Sequence, residues 1–298
     1  MSRIRALLML MCMLSVSGLM EINPTEAQES RQATWITLDG VNSISMPHLI
    51  IGANGSYSYD QVPVLRENQS INGSLFGANP SAVEICIDQL SVTKLLNPSP
   101  ATGSHANCSG PSSALNQTER NFTLPGIKSG VYTLSAFDMN GTLLTSLYMM
   151  VSKENLSLQI PDTILAGEPL KVKANISLED QNQSLIFGAI MISAEDYQNM
   201  SLTLTSKDAG GYNSTLSLGD RWEQLPEFSR ISLDLAMNLL YLLPSNSAVG
   251  MQESQQPGVE LFLITEETWP KGEYIMTYAV YSQQEGLLDL KQQKIMVI

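Results

Sequence analysis

A tight turn at Asn140-Gly141 constrains the fold more than any other stretch of the chain. It lies within Gly130–Val151, between two runs rich in Tyr, Thr, Leu and Met. Asn-Gly accepts positive φ at both central positions of a type I′ turn, so the stretch predicts a β-hairpin. A second, weaker hairpin is expected at the end of the chain, where Gly272–Tyr281 and Leu287–Ile298 flank a polar turn.

The two hairpins belong to a predicted internal repeat. Each begins with Gly-x-Tyr, and similar apolar segments precede them, Ser74–Ala78 in the first copy and Ser184–Ala189 in the second. Short strands and turns repeated in the same order are typical of tandem β-sandwiches. We therefore expect an all-β chain of two immunoglobulin-like β-sandwich domains, residues 28–153 and 154–298, each closed by its hairpin.

Two stretches carry more specific expectations. Ser229–Leu243 is rich in Leu, Ser229 can cap a helix and Pro244 can end one, so a helical insertion in the second domain is predicted. The alternation of apolar residues in this stretch would also fit a strand. Tyr57–Leu65 is predicted to be an edge strand, because Pro63 cannot donate a ladder hydrogen bond.

The N-terminus has the features of a secretory signal. Arg3 and Arg5 precede an uncharged apolar run, Ala6–Met20, and Thr25-Glu26-Ala27 places small residues before a cleavage position. The run is shorter than the ~20 residues that a membrane helix needs, although an uncleaved anchor is the alternative. We expect residues 1–27 to be a signal peptide, and the mature protein to be secreted and free of the membrane.

The charge balance excludes one class of partner. The formal net charge is −13, and Lys and Arg form no cluster in the sequence. Such a chain repels phosphate backbones and anionic lipid surfaces, so nucleic acid is not expected as a ligand.

Glycosylation sequons are the strongest compositional signal. Asn-x-Ser/Thr accounts for twelve of the eighteen asparagines, whereas chance would give about three in a chain of this Ser and Thr content. Glycans occupy surface positions, so the sequons predict a decorated extracellular protein. They are Asn54, Asn68, Asn72, Asn107, Asn116, Asn121, Asn140, Asn155, Asn175, Asn182, Asn199 and Asn213.

The sequons are unevenly distributed. None follows Asn213, so the last 85 residues carry no predicted glycan. Either this region is sheltered by packing or by a partner, or the gap is accidental. We expect residues 214–298 to provide contacts with other cell-surface or matrix proteins.

Two cysteines, Cys86 and Cys108, remain once the signal is removed. In an oxidising compartment such a pair usually forms a disulfide, here tethering the Pro-, Gly- and Ser-rich loop 97–113. Zinc binding by Cys108 with His105 is disfavoured, because two side chains fall short of the four ligands of a structural site. No metal or cofactor is expected.

No catalytic motif is recognisable. A Ser-His-Asp site would need His48 or His105, and no Gly-x-Ser-x-Gly elbow occurs. Three adjacent carboxylate pairs, Glu179-Asp180, Glu195-Asp196 and Glu266-Glu267, could serve a glycosidase only if two carboxylates faced each other across a cleft. They are predicted to lie in solvated turns, and the chain is predicted not to be an enzyme.

The three tryptophans leave a binding function open. Trp35, Trp222 and Trp269 are expected in the core, where isolated tryptophans of sandwich domains usually lie. The alternative is a sugar-stacking platform, which would require all three on one exposed face.

Several features together resemble one group of proteins. Gly130–Leu134, Gly272–Met276, the Ser229–Leu243 stretch and the sequon density are similar to those of secreted, multiply N-glycosylated β-sandwich proteins of methanogenic archaea. The resemblance implies an immunoglobulin-like fold and an extracellular location. Proteins of this kind often carry a C-terminal membrane anchor, and none is expected here.

The expected function is that of a non-enzymatic secreted or cell-surface glycoprotein, structural or adhesive, acting through protein–protein contacts. An extracellular carbohydrate- or ligand-binding module is the first alternative, and a carboxylate-based hydrolase is the second.

Overall fold

The computed structural model describes residues 20–21, 35–45, 48–51, 58–59, 61–76, 83–89, 108–109, 119–138, 143–178, 183–206, 212–218, 220–225, 243–282 and 286–298. Strands dominate these residues, and one short helix occurs among them, so the predicted all-β class is confirmed. The predicted helical insertion lies outside the described residues apart from Leu243, and the Asn140-Gly141 turn lies outside them entirely.

The strands of the N-terminal half are β1 (Met20–Glu21), β2 (Trp35–Leu38), β3 (Asn42–Ser45), β4 (His48–Ile51), β5 (Ser58–Tyr59), β6 (Gln61–Arg66), β7 (Ile71–Phe76), β8 (Val83–Gln89), β9 (Cys108–Ser109), β10 (Glu119–Leu124), β11 (Gly130–Asp138) and β12 (Leu143–Ser152).

The elements of the C-terminal half are β13 (Asn155–Gln159), β14 (Thr163–Ile164), β15 (Leu170–Ser177), β16 (Leu185–Ser193), α1 (Ala194–Gln198), β17 (Met200–Ser206), β18 (Tyr212–Leu218), β19 (Arg221–Leu225), β20 (Ala248–Ser254), β21 (Gly258–Leu263), β22 (Gly272–Ser282) and β23 (Gly286–Val297).

Two sheets form the N-terminal unit. One has the strand order β10-β7-β2 and the other β3-β6-β12-β11-β8-β9. Alternate apolar residues of both sheets, such as Leu75 and Phe122 from the first and Leu134 and Met149 from the second, share one buried core. Because each sheet turns one face inward, the unit is a β-sandwich.

The C-terminal unit repeats this plan. Its sheets have the orders β13-β15-β21 and β14-β23-β22-β16-β20, and they enclose a core of their own. In both units the last two strands form an antiparallel hairpin, β11–β12 and β22–β23. In both units the last strand also pairs in parallel with an early strand, β6 with β12 and β14 with β23.

The glycines of the two Gly-x-Tyr segments confirm that the hairpins correspond. Gly130 and Gly272 begin equivalent strands and have nearly the same backbone conformation, with φ of 153° and 151°. The other predicted correspondence is wrong. Ser74–Phe76 lies in the central strand of a three-stranded sheet, whereas Leu185–Ala189 lies in β16, whose equivalent is β8. A short run of similar apolar residues does not determine which strand of the sandwich it forms.

The predicted edge strand around Pro63 is also not at an edge. It forms β6, between β3 and β12. The parallel ladder with β12 begins only at Val64, so no donor is required from Pro63 on that side.

The C-terminal unit carries a sheet inserted between β16 and β20. Its strands follow the order β19-β18-β17-β4, in which β4 comes from the N-terminal part of the chain and runs parallel to β17. Strand β16 is buried on both faces, since Phe187 and Met191 lie in the sandwich core while Ile190 and Ile192 on the opposite face are also inaccessible. This explains its uninterrupted apolar sequence.

The two units meet at an ion pair whose carboxylate is buried. The guanidinium of Arg66 lies 3.0 Å from the carboxylate of Asp289, whose side chain is 0% exposed. Asp289 also accepts hydrogen bonds from the backbone N–H groups of Leu156 and Leu290, at 2.8 and 2.9 Å. Only Lys153 and Glu154 separate β12 from β13, and both donate to the carbonyl oxygen of Leu288.

Within the described part of the chain, no helix is long and apolar enough to cross a membrane.

Candidate functional site

An open pocket of about 610 Å³ lies at one end of the C-terminal unit, where β16 ends and β22 begins. Segments 193–196, 245–246 and 268–274 line it, together with Glu266. Several ionisable side chains meet in this concavity, so it is the candidate functional site.

Helix α1 forms one wall because Ser193 caps it. The backbone N–H of Asp196 donates to Ser193 Oγ at 3.1 Å, and the hydroxyl of Ser193 donates to the Asp196 carboxylate. Such an N-cap satisfies donors that the first helical turn leaves free. The prediction that Glu195-Asp196 lies in a solvated turn is therefore wrong for this pair, which forms the first turn of the helix.

Tyr197 fixes α1 to the five-stranded sheet. Gln292 Nε2 donates to the hydroxyl of Tyr197 at 3.2 Å and to Thr277 Oγ1 at 3.1 Å. Burial raises the pKa of Tyr197 to about 12, against the lowering effect of its side-chain hydrogen bonds with Gln292 and Thr277. The wall of the pocket is therefore held to β22 and β23 by a buried aromatic ring.

Four carboxylates line the pocket, from Glu195, Asp196, Glu266 and Glu273. Asp196 accepts a hydrogen bond from Asn246 Nδ2 at 3.2 Å, and Glu273 lies 2.8 Å from the ammonium of Lys294. Glu195 and Glu266 are exposed to solvent. The pocket thus carries a surplus of negative charge and can accept hydrogen bonds from a polar ligand.

The structure brings together two of the three predicted carboxylate pairs. Glu195 and Asp196 line the same pocket as Glu266, whereas Glu267 lies in an exposed turn, as predicted, and the third pair falls outside the described residues. This meeting could not be predicted from the sequence, because it depends on β16 and β22 being antiparallel neighbours. Pairing between distant segments is not encoded in local spacing.

Two aromatic rings form the apolar part of the site. Trp269 stacks on Tyr274 with ring centroids 5.2 Å apart and planes 8° from parallel. The hydroxyl of Tyr274 donates to the carbonyl oxygen of Pro270 at 3.1 Å. Burial is the main cause that raises the pKa of Tyr274, and the charge of Asp196 adds to it.

The tryptophans do not form a common platform. Trp269 is buried, as predicted, with 5% of its surface exposed, whereas Trp35 is 51% exposed and lies in the other unit. The prediction that Trp35 is in the core is wrong: it lies on β2, at the edge of its sheet, and covers one ring face by stacking on Phe76 at 5.5 Å. The side chain of Trp222 lies outside the description.

The predicted glycosylation sites are consistently accessible where they are described. Six of these asparagines have described side chains, and all six are exposed: Asn68, Asn72, Asn121, Asn155, Asn175 and Asn199. Asn213 lies in β18 without a described side chain, and the remaining five fall outside the described residues: Asn54, Asn107, Asn116, Asn140 and Asn182.

The predicted cysteine pair lies in adjacent strands. Cys86 in β8 is directly opposite Cys108 in β9 in the antiparallel register, and Cys86 is fully buried. Of the two histidines, His48 is in β4 and His105 falls outside the described residues. No group of three or more His, Cys, Asp or Glu side chains suited to a metal ion occurs in the described ranges.

A scan against models of protein families found no match to this chain, and a search of curated protein sequences also found none.

Proposed function

We propose that this chain is a non-enzymatic secreted or cell-surface glycoprotein, a structural or adhesive component that acts through protein–protein contacts. The observation that carries the proposal is the exposure of every described sequon asparagine. A random set of six positions would be expected to include buried ones, because a globular domain buries much of its chain. Exposure of these side chains is what glycan attachment requires.

The immunoglobulin-like character of both sandwiches is part of this proposal. In each unit the longer sheet ends with a hairpin, and the final strand pairs in parallel with an early strand. Two antiparallel sheets with this arrangement recur in extracellular modules. The same class of secreted glycosylated β-sandwich proteins, known from methanogenic archaea, fits these features, with residues 1–27 as a cleaved signal and 28–153 and 154–298 as the two domains.

The partner surface is assigned to residues 214–298, where the sequence has no sequon. Large apolar side chains are exposed in this region, including Val249, Met251, Phe262 and Ile264. Exposed apolar side chains without glycans favour contact with another protein.

Glycopeptide mapping with intact mass measurement on the native secreted protein tests the proposal. We expect loss of residues 1–27 and glycans at most of the twelve sequons. A mature protein with empty sequons, or one retaining its N-terminus, would contradict an exported glycoprotein. Chemical cross-linking on cells should then recover peptides from residues 214–298 joined to other surface proteins.

We predict a disulfide between Cys86 and Cys108. The strand register supports it, because directly opposed residues of antiparallel strands have the separation that a disulfide needs. Non-reducing peptide mapping should find the linked peptides. Replacing both cysteines by Ser should lower the free energy of unfolding by about 3 kcal/mol, the chain-entropy value for a loop of this length, and an unchanged unfolding curve would contradict the bridge.

Ligand binding in the acidic pocket is a second candidate, favoured by the meeting of Glu195, Asp196 and Glu266. Polar acceptors beside a Trp–Tyr stack suit a polyhydroxyl or cationic small molecule. Titration calorimetry with oligosaccharides and polyamines tests it, with Glu266→Gln as the pocket variant and Glu260→Gln, outside the pocket, as the control. Turnover of an oligosaccharide, abolished by Glu195→Gln or Glu266→Gln, would establish a hydrolase instead.

A further inference from the structure

Four of the exposed sequons lie in two reciprocal pairs within β-ladders. In each pair the two sequons are antiparallel and in full register, so that each asparagine faces the Ser or Thr of the other. One pair is on the three-stranded sheet of the N-terminal unit, and the other is on that of the C-terminal unit.

The first pair joins β7 and β10. Asn72 lies opposite Thr123, and Asn121 lies opposite Ser74. Thr123 Oγ1 donates to Asn72 Oδ1 at 2.9 Å, and Ser74 Oγ donates to Asn121 Oδ1 at 2.8 Å. Between them Phe122 points into the core, so both asparagines are on the outer face.

The second pair joins β13 and β15. Asn155 lies opposite Ser177, and Asn175 lies opposite Ser157. Leu156 and its partner Ile176 are buried in the core, so all four polar side chains point outward. The hydroxyl of Ser177 donates to the carbonyl oxygen of Asn155 at 3.3 Å.

The side-chain hydrogen bonds of the first pair do not involve Nδ2, the asparagine atom that reacts in glycosylation. In N-glycosylation the amide nitrogen Nδ2 forms a bond to C1 of the sugar of a lipid-linked glycosyl phosphate. The C1–O bond breaks, the phosphate leaves with the electron pair, and one amide proton is released to a base. Since Asn72 and Asn121 accept through Oδ1, the same hydrogen bonds can persist in the glycosylated sheet.

The ladder nevertheless blocks the reaction in the folded protein. A transferase must bind the backbone and the hydroxyl of the sequon, and in the ladder the backbone groups are committed to the neighbouring strand. Asn72 and Asn175 are on the central strands β7 and β15, and Asn121 and Asn155 are on the edge strands β10 and β13 paired with them. Separation of either pair requires partial unfolding of its sheet.

By contrast, the Asn68 sequon lies outside any ladder, in the turn between β6 and β7, and Asn68, Gln69 and Ser70 are all exposed. The backbone N–H groups of Asn68 and Gln69 are hydrogen-bonded to the carbonyl oxygens of Ile127 and Arg66, but opening this turn does not require two strands to separate.

We propose that Asn72, Asn121, Asn155 and Asn175 are glycosylated before their strands pair, and that the folded protein carries one glycan pair on the outer face of each three-stranded sheet. This inference rests on the proposed glycoprotein function. It implies that sugar covers the part of each face around these asparagines, so a partner protein docks away from the glycan pairs.

The experiment compares the native secreted protein with the full mature chain produced without glycans. The unglycosylated chain is incubated with an oligosaccharyltransferase and a lipid-linked oligosaccharide in two samples. In the first the chain is folded. In the second the chain carries Gly73→Ala, its disulfide is reduced, and urea is added at a concentration that the enzyme tolerates. Occupancy at each site is measured by glycopeptide mass spectrometry. Asn68 is the control acceptor within the same molecule.

We expect all five sites to be occupied in the native protein. In the folded unglycosylated chain Asn68 should be modified, and the four ladder sites should react about tenfold or more slowly. In the destabilised chain the difference should disappear at Asn72 and Asn121, because reduction and Gly73→Ala both weaken the N-terminal unit that holds them. Modification of the ladder sites at the rate of Asn68 in the folded chain would overturn the inference, as would empty ladder sites beside an occupied Asn68 in the native protein. Vacancy at all five native sites would instead overturn the proposed function itself.

Discussion

Buried tyrosine hydroxyls make the C-terminal unit sensitive to base. Burial raises the pKa of Tyr197 to about 12 and also raises the pKa of Tyr278. A tyrosine in the unfolded chain titrates near pH 10. Between these values the unfolded chain releases a proton that the folded chain retains, so stability present below pH 10 is lost as the pH rises toward 12.

Replacement of Tyr197 by Phe isolates this effect. The variant loses the hydrogen bond from Gln292, which should cost about 1 kcal/mol at neutral pH. Because Phe cannot ionise, its loss of stability between pH 10 and pH 12 should be smaller than that of the wild type by about 2 to 3 kcal/mol. Urea unfolding across this range measures both, and parallel pH profiles would contradict a buried, protonated Tyr197.

At the scale of single elements, the three-stranded sheet of the N-terminal unit depends on a close approach at Gly73. A Cβ at this position would overlap the carbonyl oxygen of Thr37 on β2 and the ring of Phe122 on β10. Neighbouring strands therefore leave space only for hydrogen at the centre of the sheet.

Gly73→Ala should destabilise the protein by about 1 to 3 kcal/mol, the usual range for overpacking in a core. It leaves the Asn72 sequon intact, so any change in glycosylation reports on sheet stability rather than on sequon identity. Gly258→Ala is the matched control, because its added Cβ would meet no atom closer than 3.5 Å. Equal denaturant midpoints for the two variants would show that β2 and β10 can move to admit the added methyl group without loss of stability.

The elements also show where sequence reasoning succeeds and where it stops. The hairpins were predictable because a turn and its flanking strands are local, and β11 and β12 pair from Gly130↔Val151 as expected. The pairing of β4 with β17 joins segments about 150 residues apart, and nothing in either segment specifies the other. The acidic pocket was missed for the same reason, and the exposed position of Trp35 was missed because burial depends on its place in the sheet.

At the scale of the whole molecule, the contact between the units depends on Asp289. Its buried carboxylate has three partners, namely Arg66 from the N-terminal unit and the backbone N–H groups of Leu156 and Leu290. Removing only the carboxylate of such a group is costly, because its former partners are left without a hydrogen-bond acceptor or counter-charge.

Asp289→Ala should lower the free energy of unfolding by about 3 kcal/mol, toward the lower end for buried pairs because Arg66 is partly exposed. Glu273→Gln, which breaks the exposed bridge to Lys294, serves as the control and should change stability by less than about 1 kcal/mol. Differential scanning calorimetry of both variants checks this. If the two variants melt together, the ion pair between the units contributes no more than a surface bridge.

The parallel pairing of the last strand with an early strand has a mechanical consequence. In β6–β12 and in β14–β23 the two strands point the same way, so a pull on the start of the early strand and on the end of the last strand slides the two past each other. All the hydrogen bonds of such a pair carry the load at once, whereas in an antiparallel hairpin pulled from its open end the hydrogen bonds break one at a time. With only Lys153 and Glu154 between the units, tension passes from one to the next without a slack linker. We therefore expect the two units to resist stretching along the chain.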